Sequence, residues 1–102
     1  MKKAYFIYFD PKLGHCPSCH VVEPFVDLLN LNGYDIEKIT REAYAEKFNV
    51  KKPVTPRIAV EGEPDTFHKV YFREDNVDVY TEFQKEDIGK RIKNIIDKAS
   101  KK

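Results

Sequence analysis

Cys16 and Cys19 are the only two cysteines of the chain, held three apart in Cys16-Pro17-Ser18-Cys19. Two thiols at this spacing can exchange electrons with a disulfide when one is activated and the other follows a helical turn behind. The pair lies between an apolar run at residues 4–9 and a stretch whose apolar residues Val22, Phe25, Val26 and Leu29 repeat with helical period. A strand, then C-x-x-C opening a helix, is a redox arrangement. Free N–H groups and partial positive charge at the helix N-terminus both favour thiolate over thiol. Cys16, at the mouth of the helix, is therefore the expected low-pKa nucleophile, and Cys19 the resolving thiol. A protonated His15 pushes the same way.

Other chemistry competes for these residues. His15, Cys16, Cys19 and His20 are four possible metal ligands in six positions, with His68 as a distant fifth. Adjacent ligands such as His15 and Cys16 fit one tetrahedral zinc poorly, since structural sites usually separate two pairs. Residues 16–20 also read C-x-x-C-H, the haem c attachment pattern. Attachment requires export and a sixth ligand, and Met1 is the only methionine. The expectation is a pair cycling between dithiol and disulfide with no bound cofactor. Asp10 is the nearest carboxylate before the pair, a candidate proton acceptor for Cys19 or simply a turn aspartate.

The elements that must position the pair follow from the rest of the chain. At 102 residues it is long enough for one domain with a single core, residues 1–102. A net charge of +1 gives no excess of basic residues to grip a phosphate backbone, so nucleic acid is not an expected partner. No stretch approaches transmembrane length. The apolar segment after Met1-Lys2-Lys3 lasts six residues, too short for a signal peptide, and cytoplasmic residence is the expectation. There, a lone cysteine pair is catalytic or metal-binding more often than a structural staple.

Residues 4–9 read as a central strand covered on both faces, and its aromatic residues as core. The next helix opens at the cysteines with Pro17 at its first position, where a missing N–H costs nothing. Pro24 interrupts it, and Asn32-Gly33 ends it. Residues 34–39 read as a second strand, 41–48 as a short helix with Tyr44 and Phe48 one turn apart, and 57–61 as a third strand. Residues 61–64 carry turn chemistry. Residues 67–73 and 77–83 look like two further strands, although Thr81 and Gln84 also suit a capping box. In the last helix Ile88, Ile92, Ile95, Ile96 and Ala99 share a face. The order predicts an α/β protein with a mixed sheet and helices on both faces.

With these elements in order, the chain resembles the thioredoxin superfamily. Cys16-Pro17-Ser18-Cys19 sits where that family carries its redox pair. Pro24, eight residues after the first cysteine, matches the proline inside the same helix. Lys47-Phe48-Asn49-Val50 followed by Thr55-Pro56-Arg57-Ile58-Ala59-Val60 is similar to the family's approach to its cis-proline and the strand beyond. Pro17-Ser18, and the fifteen residues before Cys16, are closer to glutaredoxins; His15 stands where thioredoxins have tryptophan. The resemblance implies a thioredoxin-like fold, with a four- to five-stranded mixed sheet and three helices. It implies a protein-disulfide reductase, monomeric, fed by a thioredoxin-reductase-type flavoenzyme or by glutathione. A redox-inactive adaptor of the same fold is the binding-module alternative. Thr55 and Pro56 would face the sulfurs, with Thr55 offering backbone groups to an extended substrate, and His15, Pro17 and Ser18 would line the same surface. Pro53 competes with Pro56 for the cis bond, but residues 53–56 make a poor strand opening if the bond falls at Pro53, which favours Pro56.

Overall fold

The computed structural model describes residues 2–70 and 82–101. Its elements are β1 (Ala4–Tyr8), α1 (Pro17–Leu31), β2 (Ile36–Thr40), α2 (Arg41–Phe48), β3 (Arg57–Val60), β4 (Glu63–His68) and α3 (Glu82–Ser100). The strands form one mixed sheet in the order β2-β1-β3-β4. β1 runs parallel to β2 and antiparallel to β3, and β3 is antiparallel to β4. This is the α/β arrangement the element order predicts. Among the described residues the sheet has four strands.

β1 is central because both of its faces are apolar. Ala4 and Phe6 enter a layer shared with Val22 and Val26 of α1 and with Ile88, Ile92 and Ile96 of α3. Tyr5 and Ile7, one position out of phase, face Tyr44 of α2 and Ala59 of β3. Alternating side chains of one strand thus hold helices on opposite faces of the sheet. None of the helices among the described residues is long and apolar enough to cross a membrane.

α1 starts with Cys16 as N-cap and Pro17 at its first position, and it continues through Pro24 to Leu31. Its end is a Schellman motif: the Tyr34 N–H donates to Leu29 O at 3.1 Å and the Gly33 N–H to Asn30 O at 3.3 Å. Gly33, at φ +95°, supplies the left-handed turn. Because Tyr34 is spent on closing the helix, β2 begins at Ile36, two residues later than its β-forming composition suggests. Asn30 then ties helix to strand. Its Nδ2 donates to Ile36 O at 3.0 Å, and its Oδ1 accepts the Ile36 N–H at 2.8 Å.

β4 departs from expectation in the other direction. It spans Glu63–His68 rather than beginning at residue 67, so Pro64 lies in a strand and not in a turn. The reversal is confined to Glu61 and Gly62, with Gly62 at φ +91° and Val60 opposite Glu63. Pro64 is tolerated because β4 is the outermost strand among the described residues and its register against β3 is irregular between Ile58 and Val60. Of the expected strand at residues 67–73, residues 71–73 lie outside the described part. So do residues 77–81 of the strand expected at 77–83, and Thr81 of the capping box; Glu82 and Phe83, read there as strand, are helical.

α2 is capped at both ends: Thr40 Oγ1 accepts the Ala43 N–H at 3.2 Å, and Asn49 closes it in the left-handed region at φ 53°. Tyr44 and Phe48 pack at 4.7 Å between ring centroids and form a cluster with Tyr5 and Phe67. The Tyr44 hydroxyl donates to Pro64 O at 2.6 Å, pinning the edge strand. Burial first, then the neighbouring Tyr5 and Asp65, push the Tyr44 phenol up to about 12. Below pH 10 the phenol is protonated in folded and unfolded chains alike. Between about 10 and 12 only the unfolded chain ionises, so Tyr44's contribution to stability is lost as pH rises through that window. Tyr44→Phe is expected to cost about 1 kcal/mol at neutral pH through the lost hydrogen bond. It should also lose less stability than the parent between about pH 8 and about pH 11 in urea unfolding. An equal alkaline loss would contradict the assignment.

Candidate active site

Local chemistry at the start of α1 places both sulfurs. As N-cap, Cys16 has extended backbone at φ −126°, ψ 91°, and its Sγ accepts the Cys19 N–H at 3.3 Å. One of the donors that a helix start leaves unsatisfied is thus aimed at this sulfur. Pro17 follows at the first helical position, exposed, and Ser18 is half-buried. Cys19, in the first turn, packs into the α1–α3 layer and is only 7% exposed. The two are joined in a Cys16–Cys19 disulfide with Cα atoms 5.4 Å apart. Cys16 is the more accessible partner.

The segment before β3 comes to the same point. The Thr55-Pro56 peptide bond is cis, and Pro53 precedes it in the trans form. Pro53 and Pro56 are buried, leaving Thr55 half-exposed between them. Thr55 Oγ1 lies 4.0 Å from Cys16 Sγ, and with the sulfur in a disulfide the hydroxyl is the donor. Arg57 Nη1 donates to Pro56 O at 2.8 Å, holding a guanidinium beside the same turn.

The disulfide borders a cleft of about 440 Å³ lined by Phe9, Gly14, His15, Cys19, His20 and Glu23 among others. The His15 and His20 rings, both exposed, are 5.6 Å apart between centroids and tilted by 34°. A Cβ at Gly14 would meet Phe9 Cε1 at 3.0 Å, so glycine lets the loop close over that ring. Tyr8 and Phe9, read from sequence as core, are half-buried instead and line the cleft where the strand gives out. Asp10 accepts the Lys12 N–H at 2.9 Å in an Asx turn, which fits the turn role better than a proton-accepting one. Glu23, one turn beyond Cys19 on α1, is the carboxylate that lines the cleft with that sulfur. Its i+4 spacing from Cys19 is the one sequence signal that points to it.

The remaining histidine is elsewhere. His68 pairs with Ile58 on β4 and lines a larger groove of about 510 Å³ against α3, with Arg91 and Lys98. That groove holds no cysteine, so its greater volume does not locate the chemistry. Among the described residues no group of three or more His, Cys, Asp or Glu side chains is arranged to hold a metal ion. Comparisons of the chain with protein-family models, curated proteins and solved structures return no match.

Proposed function

We propose that the chain is a thiol–disulfide oxidoreductase of the thioredoxin/glutaredoxin kind that reduces protein disulfides. One observation carries the reading: the disulfide at the N-terminus of α1 is faced by Thr55 from the turn before β3. The strand order β2-β1-β3-β4, with α1 and α3 on one face and α2 on the other, supports a thioredoxin-like fold.

In the dithiol state the helix N-terminus and the Cys19 N–H favour a Cys16 thiolate. That thiolate attacks one sulfur of a substrate disulfide, forming a mixed disulfide and expelling the first substrate thiolate. Cys19 gives up its proton and attacks Cys16 Sγ, which closes the Cys16–Cys19 bond and releases the second substrate thiolate. Two electrons pass to the substrate, and two protons complete its thiols. Thr55, beside Cys16, offers hydrogen-bonding groups to the incoming segment; His15, Pro17 and Ser18 border it. An external electron donor returns the pair to the dithiol: either a thioredoxin-reductase-type flavoenzyme, or two molecules of glutathione, which leave joined as glutathione disulfide. The cytoplasm supplies both.

Insulin reduction with a recycling dithiol tests the proposal. The chain is expected to accelerate precipitation of the freed insulin B chain well above the dithiol alone. No acceleration would leave the site as a binding adaptor without turnover.

A further inference from the structure

Two chain segments lead to the disulfide, residues 10–15, which run into Cys16, and residues 49–57, whose Thr55 lies 4.0 Å from Cys16 Sγ, and their exposed side chains share a character. Among the described residues four large hydrophobics stand out in solvent, and two of them are on these segments: Leu13, 64% exposed and three residues before Cys16, and Val54, 69% exposed and next to Thr55. Lys12 flanks Leu13, and Lys51 and Lys52 flank Val54, all three exposed. Arg57 adds a guanidinium fixed on Pro56 O. Residues 49–57 contain no acid at all. Residues 10–15 contain one, Asp10, whose Oδ1 is engaged by the Lys12 N–H. Glu23 lies in the cleft, half-buried.

Although the chain carries a net charge of only +1, among the described residues bases and two apolar side chains gather on the two segments that meet at its sulfurs. Lysines on a solvent-facing rim contribute little to a single contact, but together they steer association and reject like charge. We propose, on the basis of the exchange chemistry above, that this rim selects extended acidic protein segments: a cystine sulfur with an apolar neighbour, flanked by Asp or Glu. The apolar neighbour packs on Leu13 or Val54 and the flanking carboxylates meet Lys12, Lys51, Lys52 and Arg57. A basic segment meets the same rim as repulsion, so the selectivity comes as much from exclusion as from attraction.

Two synthetic peptides test this, each closed by one disulfide next to a valine, one flanked by glutamates and the other by lysines. With the full chain and a recycling dithiol, kcat/KM is expected to favour the glutamate peptide by about tenfold or more at low ionic strength. The preference should shrink to about twofold or less near roughly 0.5 M salt. Lys51→Glu combined with Lys52→Glu should remove or invert it. Docking is read separately from chemistry by fluorescence anisotropy, using linear versions of both peptides with serine in place of cysteine and the oxidised chain. Binding that prefers the glutamate peptide without any turnover sinks the exchange reading and keeps the surface. Equal binding and equal turnover of the two peptides overturn the surface, as does a preference that survives the double charge reversal. Tighter binding of a single-stranded oligonucleotide than of the glutamate peptide overturns it as well.

Discussion

Cys16→Ser is expected to abolish disulfide turnover, by about 10³-fold or more, the scale on which removal of a covalent nucleophile is felt. Cys19→Ser should behave differently. Its Cys16 still attacks, but no second sulfur sits a turn inward to expel the product, so the chain accumulates as a covalent adduct with its substrate. The asymmetry follows from placement. Cys16 caps the helix and is partly open to solvent, whereas Cys19 is packed against the α1–α3 layer. An incoming disulfide reaches the first and not the second. Mass spectrometry of each variant after incubation with a disulfide peptide reads the adduct directly, alongside the insulin assay. Full activity in Cys16→Ser would refute the proposed mechanism, and equal adduct yields in the two variants would refute the division of labour.

Phe6→Ala should give the largest loss of stability, about 3–5 kcal/mol. Phe6 is fully buried at the middle of β1, opposite Ile58 of β3, in the layer that α1 and α3 share. Its ring stacks on Tyr8 with centroids 6.0 Å apart, and Cys19 belongs to the same cluster. The cavity left by alanine would open between the sheet and both helices, where neither helix can move in without breaking its other contacts. Small domains are stable by about 5–15 kcal/mol in total, so the variant should be partly unfolded near ambient temperature. Urea unfolding followed by circular dichroism measures this. A loss below about 1 kcal/mol would mean that the site collapses around the deletion and that the layer is not packed as described. Phe6→Leu, which retains more of the side-chain volume, should cost less.

The sequence makes the helices more legible than the edges of the sheet. α1 is readable because Pro17, the apolar period from Val22 to Leu29, and Gly33 each have one local explanation, and they agree. β1 is readable for a similar reason, since a run without polar residues suits a strand covered on both faces. The limits of β2 and β4 depend on partners distant in the chain. Tyr34 looks like strand until its N–H is claimed by Leu29 O, and Pro64 looks like turn until the edge position excuses its missing donor. The site divides the same way. Cys16 and Cys19 announce themselves by spacing, and Thr55-Pro56 was reached through a family resemblance. Phe9, Glu23 and Arg57 enter only when β1, α1 and β3 are brought to one end of the sheet, which no local pattern encodes.

The Asn30 bridge to Ile36 has a consequence for association between molecules. In the parallel pairing Asp35 O receives the Ala4 N–H, so the Ile36 N–H and C=O point away from β1, toward the outer rim of the sheet. Asn30 occupies both groups with its amide, a side chain standing in for the peptide unit of an absent neighbouring strand. An intruding strand finds the first rung already taken, and next meets Lys38, exposed two residues on. At the opposite rim Pro64 and the irregular register of β4 interrupt the ladder. Both borders of the sheet formed by the described residues are thereby blunted against templating stacked aggregates of this chain.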